Sequence, residues 1–191
     1  FYPYKYLMDK KWDDVLKYAI PRFREVTTET DYHLLIRELA VSLCDSHAFF
    51  STELVRSHAG NKYIPAKFVI LNDKAVINGF YDDSLARLAD LRLGDVISAV
   101  DKIPVSEIYQ KNEKYINGSN EAVKKLSYSF RWIFNGATDS VSITYERDGE
   151  IQDKFIRRYA YATFKTDNAP PAKWKKISGN IGYVNMEEDV V

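Results

Sequence analysis

The chain has 191 residues, with 27 Lys and Arg against 27 Asp and Glu, so its formal net charge is zero. This balance gives no overall field to attract DNA, RNA or an anionic membrane, and we expect no nucleic-acid partner. Hydrophobic residues make up 46% of the chain, enough for a packed core. No apolar run approaches the roughly 20 residues that span a bilayer. The single cysteine, Cys44, excludes an intramolecular disulfide.

Two helices are predicted in the first 45 residues. Apolar side chains recur with helical spacing over residues 12–23, and Pro21 is expected to kink or end that helix. Thr28 is the predicted N-cap of the second helix. The two helices are expected to pack as a hairpin over residues 10–45. The predicted buried stripe of the second helix consists of Tyr32, Leu35, Ile36, Leu39 and Leu43.

The pattern changes to strands after residue 60. Two β-branched and aromatic runs, Lys67–Leu71 and Ala75–Phe80, are separated by three polar residues and predict a hairpin. A short helix over residues 84–91 and a strand over residues 95–100 follow. A longer helix begins after Gly118, with Ser119 as its predicted cap and its inner face formed by Val123, Leu126, Phe130 and Ile133.

A second hairpin is predicted after this helix. Val141, Ile143 and Tyr145 alternate with polar residues, which indicates a half-buried strand. Asp148 and Gly149 form a tight turn into a partner strand over residues 151–159.

The C-terminal part of the sequence predicts a linker and a new strand. Residues 167–171 contain two adjacent prolines and indicate a linker, because proline cannot donate to a β-ladder. Residues 179–186 are typical of the first strand of a further domain. Since the chain begins with Phe1 and stops soon after this strand, we expect it to be a piece of a longer protein.

The stretch from Leu91 to Val105 resembles the core signature of PDZ domains in bacterial proteases. Gly94 permits a tight turn into a strand, and Asp95 can accept the backbone N–H bonds that hold this turn. The predicted order of hairpin, short helix, strand, long helix and two closing strands also resembles the PDZ arrangement.

Further segments indicate which family of proteases the sequence resembles. Residues 43–50, which include Asp45 and His47, resemble the Leu-x-Asp-x-His-small-aromatic segment of the C-terminal processing (tail-specific) serine peptidases. Residues 1–13 are similar to the helical region ahead of that segment in secreted members of the family. Gly182–Val184 resembles the strand that opens their catalytic domain. The sequence thus resembles the N-terminal helical region and PDZ domain of this family, with most of the catalytic domain absent.

The resemblance implies an α+β fold, with an N-terminal helical segment followed by a PDZ-like small β-barrel with two helices. We expect the helical segment to cover residues 1–59 and the PDZ-like domain residues 60–166. Residues 167–191 are expected to form a linker and the first strand of a truncated catalytic domain.

The resemblance also implies the function of the parent protein, an exported bacterial serine endopeptidase of the periplasm or cell envelope. The family uses a serine nucleophile activated by a lysine, with backbone amides that stabilise the oxyanion. All of these groups belong to the downstream domain, so no catalytic residue is assigned here and this chain is expected to be inactive alone. The implied partners are an extended or unfolded peptide or protein and the chain's own downstream catalytic domain. No metal or cofactor is implied.

A peptide is expected to add as a strand beside residues 64–68 and to meet the long helix. The alternative is that these apolar residues are ordinary core. Pro65 departs from the family pattern, because it lies in the loop that binds a C-terminal carboxylate through backbone amides and has no N–H. The predicted groove residues are Tyr63, Ile64, Ala66, Phe68, Val123, Leu126, Ser127 and Phe130.

Other residues could be interpreted as a catalytic or metal-binding site. Asp45, Ser46 and His47 could be taken for a catalytic triad, but adjacent side chains diverge, and we expect Asp45 and His47 to fix the helix end and the linker. Cys44 with His47 and His58 could bind a metal ion. Zinc sites need three or four ligands at close spacing, so a small buried cysteine is the favoured interpretation.

Two alternatives to the peptidase hypothesis remain open. The parent protein could be a non-catalytic PDZ peptide-binding module of the cell envelope. The PDZ-like domain could also be a structural spacer with a blocked groove, which the Pro65 departure favours.

Overall fold

The computed structural model describes residues 6, 8, 10–130, 132–165 and 174–184. The helices are α1 (Trp12–Glu25), α2 (Glu29–Val41), α3 (Glu53–Ala59), α4 (Asp83–Leu88), α5 (Val105–Asn112) and α6 (Glu121–Phe130), with short 3-10 turns at Glu113–Tyr115 and Tyr161–Thr163. The strands are β1 (Lys62–Tyr63), β2 (Ala66–Leu71), β3 (Lys74–Phe80), β4 (Val96–Val100), β5 (Ile103–Pro104), β6 (Ser140–Arg147), β7 (Glu150–Arg157), β8 (Tyr159–Ala160), β9 (Trp174–Ser178) and β10 (Ile181–Val184).

The first two helices form the predicted hairpin. Thr28 caps α2, since its Oγ1 accepts a hydrogen bond from the backbone N–H of Asp31 at 3.1 Å. Arg22 joins α1 to α2 by donating to both carboxylate oxygens of Glu38, at 2.6 and 2.9 Å. Of the two effects expected of Pro21, the end of the helix is wrong, because α1 continues to Glu25, and the kink stays a prediction. A proline removes one intrahelical hydrogen bond, and the remaining bonds carry α1 through this position.

The predicted buried stripe of α2 is displaced. Leu35 is buried as predicted, but the other buried residue is Leu34, which was not predicted, and Tyr32 is 46% exposed. The reason is that α2 packs against α3 and the turn at 113–115 as well as against α1, so the buried face is not the one that a two-helix hairpin predicts. Helix α3 was not predicted, because its seven residues are too few for helical periodicity to show.

The main sheet is antiparallel, with the strand order β2-β3-β4-β6-β7 and with β5 paired to β4. Both predicted hairpins are confirmed. Asn72 and Asp73 form the β2–β3 turn with φ of 47° and 59°, and Asp148 and Gly149 form the β6–β7 turn with φ of 52° and 84°. In the part of the chain that the structure describes, β2 and β7 remain separate edges. The sheet is therefore open, and the predicted small barrel is corrected to an open PDZ-like sheet.

Three helices pack with this sheet rather than the predicted two. Helix α5, which was not predicted, begins at Val105, whose side chain is anchored in the core at 1% exposure. The cap of α6 is Asn120 rather than Ser119, since Asn120 Oδ1 accepts from the backbone N–H of Val123 at 3.0 Å.

One hydrophobic core joins the helical segment and the sheet. Leu34 of α2 and Val55 of α3 pack in the same cluster as Ile77, Ile97 and Ile143 of the sheet. The domain boundaries at 59/60 and 166/167 stay predictions, and the predicted linker at 167–171 lies outside the described residues. The predicted C-terminal strand is present as β10, and β9 is its antiparallel partner. None of the described helices is long and apolar enough to cross a membrane.

Candidate peptide-binding groove

A groove runs between β2 and α6. Strand β2 pairs with β3 along one edge, and α6 packs beside it on the other side. The hollow between them has a volume of about 530 Å³. Its lining residues are Tyr63, Lys67, Phe68, Val69, Asn78, Tyr81, Leu126, Ser129 and Tyr161.

One end of the groove is built from three tyrosines, here called the tyrosine cluster: Tyr63, Tyr81 and Tyr161. The ring of Tyr161 meets Tyr63 and Tyr81 edge-on, with centroid distances of 5.6 and 5.7 Å. Tyr81 also stacks on Phe164 at 5.4 Å. The short pairing of β1 with β8 brings Tyr63 beside the segment that carries Tyr161. The cluster thus forms a fixed aromatic wall.

Lys67 is the one charged residue among the described side chains that line the hollow. Its Nζ lies 5.5 Å from the centroid of the Tyr81 ring, within the range of a cation–π contact. The stem of Lys67 passes over Gly79 of the neighbouring strand, where an added Cβ would lie 3.6 Å from Lys67 Cδ. No described Asp or Glu forms an ion pair with Lys67.

Of the residues in and between β1 and β2 that the sequence predicted for this groove, two line it and two are buried in the core. Tyr63 and Phe68 line the hollow. Ile64 and Ala66 belong to the hydrophobic core instead, with 2% and 1% of their surfaces exposed.

The predicted residues of α6 are divided in the same way. Leu126 lines the groove and is 54% exposed, so it faces the hollow rather than the core. Ser127 lines a separate hollow together with Arg37 and Trp132. Val123 is half-buried and outside the groove lining. The side chain of Phe130 lies outside the described residues.

The sequence prediction did not include six of the lining residues: Lys67, Val69, Asn78, Tyr81, Ser129 and Tyr161. Lys67 could have been found from its place beside Phe68 on the edge strand. A register shift between these two residues lets both face the groove, although strand alternation would put them on opposite sides. No local pattern marks Tyr81 or Tyr161, which meet only through the fold.

Pro65 lies between β1 and β2 with its side chain fully buried. Its carbonyl accepts a hydrogen bond from the Tyr81 N–H at 3.1 Å, which ties this loop into the groove wall. Since proline has no N–H, position 65 offers no donor for a peptide carboxylate.

The PDZ-signature residues have a structural role in a neighbouring turn. Gly94 adopts φ of 88°, and Asp95 Oδ2 accepts from the Arg92 N–H at 2.9 Å. Asp95 is 2% exposed and binds Arg147 through two hydrogen bonds of 2.7 Å. The hydrogen bond to Asp95 raises the pKa of Arg147 above its ordinary value. Arg147 and Lys154, in turn, lower the pKa of the Asp90 carboxyl.

The segment with Asp45, Ser46 and His47 does not have the geometry of a triad. His47 Nδ1 is the ring nitrogen nearest to both Ser46 Oγ, at 3.4 Å, and Asp45 Oδ1, at 3.5 Å. A triad histidine uses its two nitrogens separately, one toward each partner. Asp45 Oδ1 accepts from the His47 backbone N–H, and Asn117 Nδ2 donates to the Ser46 carbonyl, which ties the loop to the segment before α6. Among the described residues, no group of His, Cys, Asp and Glu could hold a metal ion.

The open antiparallel sheet, the flanking helices and the groove between β2 and α6 define a PDZ-like α+β fold, here preceded by a helical segment. The mature form of CPAF, in a structure with lactacystin, is similar to this chain with a TM-score of 0.57 and 12% identity. The match covers 81% of this chain and 30% of the CPAF chain, so the chain spans about a third of that protein's length.

Two further structures resemble parts of the chain at lower TM-scores. The PDZ domain of EpsC from Vibrio cholerae has a TM-score of 0.32 and 19% identity, covering 51% of this chain and 95% of that domain. The photosystem II D1 C-terminal processing protease has a TM-score of 0.35 and 17% identity, covering 79% of this chain and 38% of the other.

The likeness to CPAF shows a shared fold. No family model and no curated protein sequence matches the chain significantly.

Proposed function

We propose that this chain is the N-terminal and substrate-recognition region of an exported bacterial serine endopeptidase that resembles the C-terminal processing peptidases. The observation that carries the proposal is the groove itself. Among the described residues, one edge of β2 has no strand neighbour and lies opposite α6, with an apolar and aromatic lining between them. An unpaired strand edge next to a helix is the arrangement that captures extended peptides by strand addition.

The groove supplies both parts of such recognition. The backbone of β2 provides N–H and C=O groups for a peptide strand, which gives affinity without dependence on sequence. Phe68, Val69 and Leu126 provide apolar contacts for peptide side chains that point into the hollow. Because the loop at Pro65 is tied to Tyr81 and offers no N–H at that position, the geometry favours an internal extended segment over a free C-terminus.

The catalytic part of the proposal comes from the family resemblance. It places a serine and a lysine in a domain downstream of this chain, in a protein of the bacterial periplasm or cell envelope. In this scheme the groove holds an unfolded polypeptide and raises its local concentration at the downstream site. The chain itself supplies binding and positioning rather than a reacting group.

Casein hydrolysis by the full-length gene product tests the proposal. We expect turnover that disappears when the downstream serine is changed to alanine, and no turnover by the 191-residue chain alone. Leu126→Glu places a charge in the apolar groove and should raise KM about tenfold or more, since burying an unpaired carboxylate against apolar peptide side chains is unfavourable. Because Leu126 is 54% exposed, the variant should fold normally.

Leu93→Glu is the matched control, since Leu93 is 64% exposed and lies outside the groove lining. This variant should retain the KM of the unmodified protein. No turnover by the well-folded full-length protein would contradict the peptidase proposal, and peptide affinity without turnover would establish the non-catalytic binding module. An unchanged KM for Leu126→Glu would favour the spacer with a blocked groove.

A further inference from the structure

We infer that the groove selects extended peptides that carry an acidic side chain, read by Lys67 at the tyrosine cluster. This inference rests on the proposed function of the groove as a peptide-binding site. It adds a residue that determines specificity and a chemical class of ligand.

The first observation is that the charge of Lys67 has no carboxylate partner among the described residues. Lysines on neighbouring elements have carboxylate partners, as Lys62 pairs with Asp139 at 2.6 Å and Lys125 with Asp73 at 3.3 Å. Lys67 has no such partner among the described residues, and its ammonium group lies against the face of Tyr81. The groove therefore presents a cation whose charge is not neutralised by any described side chain in the lining.

The second step is the surroundings of that charge. The wall beside Lys67 is aromatic and apolar, so a peptide that fills the hollow displaces water from around the ammonium group. A charge pair strengthens when water is excluded, and the tyrosine hydroxyls and the Asn78 amide can donate further hydrogen bonds to a carboxylate. A basic peptide side chain at the same place would meet a like charge without a counterion.

The third step is the spacing along a bound strand. Side chains of an added strand alternate between its two faces, so residues two apart point into the same hollow. Lys67 and the tyrosine cluster contact one of these positions, while Leu126 and Phe68 offer an apolar surface to the next. The preferred segment therefore has an acidic residue and an apolar residue at alternate positions.

Peptide titration by fluorescence anisotropy tests this inference on the 191-residue chain. The probes are labelled peptides of one extended, threonine- and valine-rich sequence, acetylated and amidated, with Glu, Gln or Lys at the same central position. We expect the Glu peptide to bind roughly fivefold more tightly than the Gln peptide and the Lys peptide to bind most weakly. The preference should shrink as the salt concentration rises. A fourth probe, the Gln peptide with a free C-terminal acid, tests the other source of a carboxylate and should bind like its amide.

Three variants assign the preference to Lys67. Lys67→Gln should bind the Glu and Gln peptides equally, and Lys67→Glu should prefer the Lys peptide. Lys176→Glu makes the same change of charge on β9, outside the groove lining, and should keep the original order of affinities. Lys67 is exposed, so these changes leave the core intact.

The outcomes separate this inference from the proposed function. Equal affinity for the Glu and Gln peptides overturns the acidic preference and leaves peptide binding in place. A preference that persists in Lys67→Gln, or one confined to the free C-terminal acid, also overturns it. The absence of binding by all four peptides overturns both the inference and the groove function.

Discussion

At the scale of single residues, almost every buried polar side-chain atom among the described residues has a hydrogen-bond partner. Arg158, 6% exposed, donates to the carbonyls of Phe134 and Ser140 at 2.6 and 3.0 Å and to Thr138 Oγ1 at 2.6 Å. Tyr128 is the exception in the described part of the chain, since its hydroxyl is buried and has no hydrogen-bond partner there. Burial raises the pKa of Tyr128. An unsatisfied buried hydroxyl costs free energy that a phenylalanine would not.

Tyr128→Phe should therefore raise the free energy of unfolding by about 1 kcal/mol. Urea denaturation followed by circular dichroism measures this change. Tyr145→Phe is the matched control, because Tyr145 is also buried but its hydroxyl donates to Gln152 Oε1 at 3.1 Å. Loss of this hydrogen bond should lower the free energy of unfolding by about 1 kcal/mol. A destabilised Tyr128→Phe protein would mean that a buried partner satisfies this hydroxyl.

At the scale of elements, two backbone segments cross closely between the end of α3 and the start of β1. Gly60 ends α3 with φ of 97°, and a Cβ added there would lie 2.3 Å from Gly136 N. Just beyond, Lys62 and Gly136 exchange both backbone hydrogen bonds at 3.2 Å. The loop before β6 thus approaches the end of α3 more closely than a side chain permits, and it holds the helical segment to the sheet.

Gly60→Ala should consequently lower the free energy of unfolding by roughly 3 kcal/mol or more, because strain at positive φ adds to a clash with rigid backbone. Gly149→Ala has a similar positive φ of 84° but meets nothing within 4 Å. It should cost only about 1 kcal/mol. Thermal or urea denaturation of the two variants compares them, and equal losses would show that the backbone crossing is not a tight constraint.

At the scale of the whole molecule, Arg37 connects the helical segment to the PDZ-like region. Its Nε donates to the Tyr115 carbonyl at 2.6 Å, and its Nη1 donates to the Phe50 carbonyl at 2.7 Å. The guanidinium lies 5.6 Å from the centre of the Trp132 ring. With Leu34 in the same core as the sheet residues, these contacts make the two regions energetically dependent on each other.

We therefore expect the two regions to unfold in one cooperative transition. Far-UV circular dichroism and tryptophan fluorescence should give the same urea midpoint in Trp174→Phe, which removes an exposed reporter and keeps Trp12 and Trp132. Arg37→Ala should lower this midpoint by the equivalent of about 2 kcal/mol and keep a single transition. Two separate transitions would instead support independent domains with a boundary at 59/60.

The sequence by itself determined those features that depend on neighbours a few residues apart. The Thr28 cap, the Asn72–Asp73 turn and the Asp148–Gly149 turn were predictable because a short side chain or a left-handed backbone acts within one turn of chain. The resemblance in residues 91–105 indicated the PDZ-like fold for the same reason, since its turn and strand residues are contiguous.

Only the tertiary structure decided which residues face the groove. Ile64 and Ala66 carry the same apolar pattern as Phe68, yet they are buried in the core. Tyr161 joins Tyr63 and Tyr81 only because β8 pairs with β1 across almost a hundred residues of sequence. Local pattern likewise could not show that the sheet stays open rather than closing into a barrel, because the pairing of strand edges depends on the twist and packing of the whole sheet. Packing partners that are distant in the chain determine whether a side chain is buried in the core or faces the groove, and no short segment contains that information.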